Sequence, residues 1–271
     1  MAYWQDTWTF PNSIEHEFKY AGNYGAKGEK RAKRHKASPD QIRKQNQLNK
    51  EKRVRRLIKA NWIPEDIWAC LKYPKGTRKS IAEIDKDVAK FLAQMRREYK
   101  KRGECFKFLI RKEIGKQGGI HIHILINRSG KKPDTDLIMQ KFWIHGRVNY
   151  QTVYEYGGYK KLANYIVKQP NEKQEKQLSI FTEEEQKQLI KYSSSRNLIR
   201  PQPERKRYRR WTVKKLVEEG PKETPGFYIE KESIHHGVNK FTGMTYYQYT
   251  ECRIDKIESR SSPEWDKLLS G

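Results

Sequence analysis

The chain has 271 residues, and its 58 lysines and arginines exceed its 33 aspartates and glutamates, so the formal net charge is +25. Hydrophobic residues make up 35%, and no segment approaches the roughly 18 consecutive apolar residues that a membrane helix needs, which excludes an integral membrane protein. The three cysteines lie far apart without a CxxC pair, which excludes a disulfide framework and a zinc ribbon and suits a reducing cytoplasm.

The charge predicts a polyanionic partner. Aromatic residues make up 12% of the chain, which is too many for a disordered polyelectrolyte, so we expect a folded protein with a basic surface. Nucleic acid is the expected partner, ahead of an anionic membrane surface. The first ten residues lack a basic segment followed by an apolar one, so no secretory signal is predicted and we expect a cytoplasmic protein.

The positive charge is concentrated near the N-terminus. Residues 19–59 hold 15 basic and three acidic side chains. Ser38, Pro39 and Gln41 read as an N-cap, a first helical proline and a capping-box glutamine, which predicts a helix to about residue 60. This basic arm and helix are suited to contacts with DNA phosphates. The candidate contacts are Arg31, Lys33, Arg34, Arg53, Arg55 and Arg56.

Alternating elements follow in the middle of the chain. Strands are predicted at 66–73, 105–114, 120–127 and 147–155, and helices at 84–101, 134–143 and 157–169. The two central strands are joined by the turn at 115–119. This order predicts an α+β fold, with a central antiparallel sheet of about five strands and helices packed on one face. We expect a basic N-terminal arm and helix at 1–60, this domain at 61–200, and a basic linker with a small C-terminal module at 201–271.

The strand at 120–127 carries a candidate metal site. Side chains alternate along a strand, so His121 and His123 share one face and lie about 7 Å apart along it. If the hairpin is symmetric about Gln117, Glu113 pairs with His121 on that face. Two imidazoles and a carboxylate suit Mg²⁺ or Mn²⁺ and leave positions open for a substrate.

The helix at 157–169 carries a candidate nucleophile. Tyr165 lies three residues before Lys168 and four after Lys161, so the three side chains share a face. A tyrosine flanked by lysines can attack a phosphodiester when its phenol or the phosphate is polarised. Tyr159 is a second candidate, but it lies about 120° around the helix from Tyr165.

Taken together, these features resemble the HUH endonucleases: the His-x-His strand, the acid on the paired strand and the later Tyr-x-x-Lys helix. Residues 68–73, 143–148 and 192–198 resemble further stretches of the replication-initiator branch that bacterial plasmids, phages and integrative elements carry. The chain departs from the family in its first motif, where Lys72 lies in a strand that usually carries a threonine. The resemblance covers about residues 60–200.

The resemblance implies an endonuclease that starts rolling-circle replication. Glu113, His121 and His123 would hold the metal, Tyr165 would form a 5′-phosphotyrosine bond and free a 3′-hydroxyl, and the reverse reaction would rejoin strands. Lys168 would position the phosphate, and Lys161 would contact DNA. The implied partners are single-stranded or origin DNA and a separate host helicase and polymerase, in the cytoplasm of a bacterial cell.

Two alternatives remain from the sequence. A mobilisation relaxase or a single-strand transposase would use the same chemistry, although the histidines precede the tyrosine here, which favours the replication branch. A non-catalytic basic nucleic-acid-binding protein would explain the charge and the aromatic residues, but would leave the spacing of the site residues accidental.

Overall fold

A computed structural model describes residues 3–20, 31–77, 79–115, 118–152, 158–208 and 213–255. The strands in chain order are β1 (Tyr3–Thr9), β2 (Ser13–Tyr20), β3 (Ile67–Lys72), β4 (Phe108–Ile114), β5 (Ile120–Ile126), β6 (Arg147–Thr152), β7 (Tyr192–Ser194), β8 (Glu204–Tyr208), β9 (Phe227–Ile229), β10 (His235–Asn239) and β11 (Met244–Arg253). The α-helices are α1 (Pro39–Asn61), α2 (Ile81–Lys101), α3 (Thr135–Phe142), α4 (Gly158–Val167), α5 (Glu172–Leu178), α6 (Glu183–Ile190) and α7 (Lys214–Glu219).

Contacts divide the chain into two units, residues 47–199 and residues 1–46 with 200–271. The structure therefore groups the predicted N-terminal arm with the predicted C-terminal module, because β1 and β2 pair with strands from the other end of the chain. Within the described residues, no helix is long and apolar enough to cross a membrane.

Residues 47–199 contain a five-stranded sheet in the order β6-β3-β5-β4-β7, with every neighbouring pair antiparallel. The predicted α+β fold with an antiparallel sheet of about five strands is confirmed. The strand β5 lies at the centre, so its two neighbours bring their side chains to both sides of each histidine on it.

Helices cover both faces of this sheet, which differs from the expected single covered face. Ile122 and Ile124 lie in one core with residues of α2 and α3. Leu125 and Leu109 lie in a second core with residues of α1 and α4. The second core gives the histidine face an apolar wall, because α1 and α4 contribute their own apolar side chains to it.

Helix starts follow the sequence signals. Ser38 and Gln41 exchange hydrogen bonds at the start of α1, as their spacing predicts. Ser80 and Glu83 form a capping box that starts α2 three residues before the predicted position. These reciprocal bonds satisfy amide groups that a first helical turn leaves without partners.

In the other unit, a sheet runs in the order β10-β11-β2-β1-β8, and β9 pairs with β11. One of its faces carries an aromatic core with Tyr3, Phe18, Tyr247 and Tyr249. The prediction of a linker over 201–210 is wrong for residues 204–208, which form β8 against β1. A strand of five mostly charged residues has no local apolar pattern, so only its long-range partner reveals it.

Part of the basic arm is held by backbone contacts within its own unit. The amide of Ala32 donates to the carbonyl of Gly243 at 3.1 Å, and the amide of His35 donates to the carbonyl of Lys240 at 3.0 Å. Gly243 has a φ of +65°, and a Cβ there would lie 2.1 Å from the carbonyl oxygen of Ala32. The turn therefore needs glycine to accept the arm.

Candidate active site

Two rows of side chains cross the central sheet on the face that carries the histidines. His121 lies between Lys72 on β3 and Glu113 on β4. His123 lies between Cys70 on β3 and Arg111 on β4. The Glu113–His121 pairing expected from a symmetric hairpin is thus the observed register, although Gln117 itself lies outside the described residues. Antiparallel register puts these side chains within mutual reach.

Glu113 is the centre of a hydrogen-bond network. The hydroxyl of Tyr165 donates to Glu113 Oε2 at 2.5 Å and lies 2.8 Å from His123 Nε2. Lys168 Nζ lies 2.5 Å from Glu113 Oε1, and Gln174 donates to the same oxygen at 3.0 Å. The structure therefore brings together four side chains that the sequence singled out, from β4, β5 and the end of α4.

Aromatic packing fixes the same group from the side. The Trp68 ring stacks on His123 with centroids 5.5 Å apart, and it meets Tyr165 edge-on at 6.0 Å. Lys168 Nζ lies 4.3 Å from the centre of the Tyr165 ring, a cation–π distance. Tyr165 is consequently held by its ring as well as by its hydroxyl.

The surroundings shift the pKa values of the site in opposite directions. Burial would raise the pKa of Glu113, but hydrogen bonds from His123, Lys168, Tyr165 and Gln174 outweigh it and hold that pKa well below its usual range. Burial, with the hydrogen bond to Glu113 and its charge, raises the pKa of Tyr165 above its ordinary value. Glu113 is therefore a carboxylate and Tyr165 a neutral phenol at neutral pH.

The histidines lie beside a thiol. Cys70, His121 and His123 each offer a ligand atom within 4.8 Å of the others, and Glu113 is outside this one metal-like group among the described residues. His123 Nδ1 is buried without a hydrogen-bond partner. Burial and the charge of Lys72 lower the pKa of His121, which keeps its imidazole neutral and able to bind a metal. The donors present fit a divalent cation.

Gly115 leaves room for the His121 ring at the mouth of the hairpin. A Cβ on Gly115 would lie 2.7 Å from His121 Cε1 and 3.1 Å from Nε2, so the imidazole would have to move. A Cβ on Gly119, in the same turn, would meet nothing within 4 Å.

We expect Gly115→Ala to weaken binding of a divalent cation by about 10–100-fold, the loss typical of disturbing the support of a metal ligand. Gly119→Ala is the matched control and should leave the affinity unchanged. Isothermal titration with Mn²⁺ measures both. Equal affinities in the two variants would show that the position of the His121 ring does not affect the site.

Arg111 holds the end of the helix that carries Tyr165. Its guanidinium donates to the carbonyl oxygens of Tyr165, Ile166 and Lys168 at 2.9, 2.6 and 3.0 Å. These carbonyls end a helix and have no intrahelical partners, and a cation there also opposes the helix dipole. Arg111 is 3% exposed, so water cannot replace these bonds.

Arg111→Met is expected to lower the free energy of unfolding by about 3 kcal/mol, since several buried carbonyls lose a charged donor together. Urea unfolding followed by circular dichroism measures this. Arg53→Met on exposed surface is the control and should change stability by less than about 0.5 kcal/mol. If the two variants unfold alike, Arg111 does not secure α4.

Tyr159 lies away from the site. It is 2% exposed, belongs to the core beneath α4, and donates to the carbonyl of Trp62 at 3.2 Å. The expectation that it faces away from Tyr165 agrees with this packing.

The predicted DNA contacts are spread over both units. Arg31 donates through Nε to the carbonyl of Thr242, and Arg55 is half-buried with an ion pair to Glu51 at 3.8 Å. Arg56 is half-buried. The remaining candidates have exposed side chains and are Lys33, Arg34, Arg53 and Lys161.

Four residues of the site were missed from the sequence: Cys70, Arg111, Gly115 and Gln174. Alternation along β3 and β4 carried a signal for the first two, because each occupies the histidine face once the register is known. Gln174 starts no pattern of its own and reaches Glu113 only through the packing of α5.

Comparisons with known proteins agree with the segment that builds this site. Residues 66–170 match the family model of the replication-associated protein ORF2. Neither the curated proteins nor the solved structures contain a match to the chain. The matched segment is less than half of the chain and contains every residue of the two histidine rows. The chain is thus similar, over its central sheet and the Tyr165 helix, to a replication-associated protein family, which supports a role in replication initiation.

Proposed function

We propose that this protein is a replication-initiator endonuclease of the HUH type, which nicks one DNA strand with Tyr165 and starts rolling-circle replication. The observation that carries the proposal is the position of the Tyr165 hydroxyl, 2.5 Å from Glu113 Oε2 and 2.8 Å from His123 Nε2. A non-catalytic DNA-binding protein has no need to join a buried phenol, a carboxylate and a histidine. The similarity to a replication-associated family supports the biological setting.

His121 and His123 would hold Mg²⁺ or Mn²⁺, with Glu113 as the candidate oxygen ligand. When bound, the cation would supply positive charge to a non-bridging phosphate oxygen and so favour attack on phosphorus. Lys168 would contact the same phosphate, since its ammonium group lies beside both Glu113 and the Tyr165 ring. Lys161 and the exposed basic side chains of the arm and α1 would hold the DNA backbone.

The proton of Tyr165 has a defined acceptor. Its hydroxyl donates to Glu113 Oε2, which is ionised at neutral pH. As the Tyr165 oxygen forms its bond to phosphorus, the phenol proton would pass to Glu113 and the bond from phosphorus to the 3′-oxygen would break. That oxygen takes up a proton and becomes a free 3′-hydroxyl, and Glu113 returns its proton to solvent. The number of phosphate ester bonds is unchanged, so a hydroxyl can later reverse the reaction.

The proposal sets this reaction in the cytoplasm of a bacterial host. The 3′-hydroxyl would serve as a primer for a host polymerase, and a separate host helicase would unwind the duplex, since the chain has no G-x-x-x-x-G-K-[ST] sequence. Origin DNA, exposed as a single strand, would be the substrate.

A denaturing gel tests the proposal. The protein is mixed with labelled single-stranded fragments of its own replicon and with Mn²⁺ or Mg²⁺. We expect a slow, protease-sensitive band that resists denaturant and disappears with EDTA. If binding is detected but no fragment gives such a band with either metal, the endonuclease assignment fails and a DNA-binding role takes its place.

Replacing His121 and His123 together by alanine should abolish the covalent band. Salt-sensitive DNA binding should persist, because phosphate contacts come from exposed lysines and arginines elsewhere. Filter binding at two salt concentrations measures retention, and the gel measures cleavage. Unchanged cleavage by the double variant would show that these histidines are not part of the catalytic site.

A further inference from the structure

Cys70 is a buried thiol that the proposed reaction does not use. It is 6% exposed and lies directly opposite His123 in the antiparallel pair of β3 and β5. Trp68 and Lys72 occupy the same face of β3 two residues to either side. The thiol therefore lies within the histidine face and is not a filler of the opposite core.

The donor atoms around this thiol converge. One ligand atom from each of Cys70, His121 and His123 lies within 4.8 Å of the other two. Zinc–sulfur and zinc–nitrogen bonds are about 2.3 and 2.1 Å, so opposite ligands can be at most about 4.4 Å apart, and the three side chains need move by only a few tenths of an ångström.

A second observation also indicates a ligand at this position. His123 is 9% exposed and its Nδ1 is buried without a hydrogen-bond partner among the described residues, whereas its Nε2 lies next to Tyr165. Buried polar atoms of this kind are usually bonded, so an orphaned imidazole nitrogen beside a thiol and a second imidazole is the expected state of a site that binds a cation.

Glu113 is committed elsewhere. Its two oxygens accept hydrogen bonds from Tyr165 and Gln174, and one of them lies 2.5 Å from Lys168. Binding a cation through Glu113 would disturb the contacts that hold the Tyr165 proton. Binding through Cys70 leaves them in place.

We propose that Cys70 is the third protein ligand of the metal, with His121 and His123, so that the site prefers thiophilic divalent cations of the Zn²⁺ and Co²⁺ class to Mg²⁺. Thiolate and imidazole ligands favour these ions, whereas oxygen ligands favour Mg²⁺. Three protein ligands leave a fourth position open, as catalytic zinc sites do. The inference refines the cation of the proposed function and rests on it only for the use of the two histidines.

Cobalt absorption tests the ligand set without any nicking assay. A Cys105→Ser/Cys252→Ser parent keeps Cys70 as its one thiol, because the chain has three cysteines. After EDTA treatment and dialysis, Co²⁺ should produce a near-ultraviolet sulfur-to-cobalt charge-transfer band, and Zn²⁺ should remove it. Cys70→Ser in the same parent should lose the band and weaken Zn²⁺ affinity by about 10–100-fold or more. Glu113→Gln should keep the band.

A band that survives Cys70→Ser, or Co²⁺ binding without any charge-transfer band, would overturn the inference. If Cys70→Ser does not fold, thiol labelling of the parent decides the question: Zn²⁺ should protect Cys70 from a thiol reagent, and labelling at an equal rate with and without Zn²⁺ would overturn it. Mg²⁺ should give no protection. A covalent DNA band with no cobalt–sulfur band would reject this ligand set alone, whereas the reverse result would reject the endonuclease alone.

Discussion

Tyr165→Phe is expected to abolish the covalent protein–DNA band while leaving DNA binding unchanged. The substitution removes only the hydroxyl that lies between Glu113 and His123, and it keeps the ring that packs against Trp68 and Lys168. Without that oxygen no phosphotyrosine bond can form, so the loss is complete and is not a partial change in rate. The denaturing gel measures the band, and filter binding measures retention.

Tyr159→Phe is the matched control on the same helix. Its hydroxyl makes a buried hydrogen bond to the carbonyl of Trp62, so we expect a stability loss of about 1 kcal/mol and a normal covalent band. A band that survives Tyr165→Phe and disappears in Tyr159→Phe would identify Tyr159 as the nucleophile, although its position in the core contradicts this.

Lys168→Met is expected to reduce formation of the covalent band by about 100-fold or more, comparable to the loss of one charged donor at a reacting centre. The variant removes the cation that lies 2.5 Å from Glu113 Oε1 and 4.3 Å from the Tyr165 ring centre. Its effect on stability should be about 1 kcal/mol or less, because the Lys168 side chain is 37% exposed and solvent screens the pair.

The pH dependence of folding tests the same pair. The pKa of Glu113 lies below its ordinary value of 4.5, so its contribution to stability is present above about pH 4.5 and is lost as the pH falls towards the folded-state value. Lys168→Met removes one hydrogen bond to the carboxylate and should raise that pKa, which shortens the acid range over which stability is lost. Urea unfolding in EDTA between pH 3 and 7, an experimental range of about four units, measures the slope.

Glu113→Gln supplies the control for this interpretation. The amide does not titrate, so the variant should lose the Glu113 part of the acid dependence, and adding Lys168→Met to it should not alter the slope further. Formation of the covalent band should stay low in the double variant, because a neutral pair restores neither the proton acceptor nor the phosphate contact. An acid slope that is identical in all four proteins would mean that Glu113 is not held as an unusually acidic carboxylate.

The sequence alone determined the elements that have a local period. The alternation from Ile120 to Ile126, the glycine-rich turn before it and the spacing of Glu113 from His121 specify a hairpin and its register, because strand side chains repeat every two residues. The capping signals at Ser38 and Thr182 likewise place helix starts, since each is a contact between residues three apart. The pairing within the site was therefore predictable without a structure.

Only the tertiary structure decided what faces the histidines from other elements. Cys70 belongs to a strand whose apolar sequence gives no sign of which face it presents, and the pairing of β3 with β5 settles that. The coverage of both sheet faces and the origin of β8 depend on contacts between distant segments. Local periodicity carries no information about such contacts, because they are selected by the packing of whole elements. The sequence thus determined the candidate nucleophile and histidines, and the fold decided which groups share their pocket.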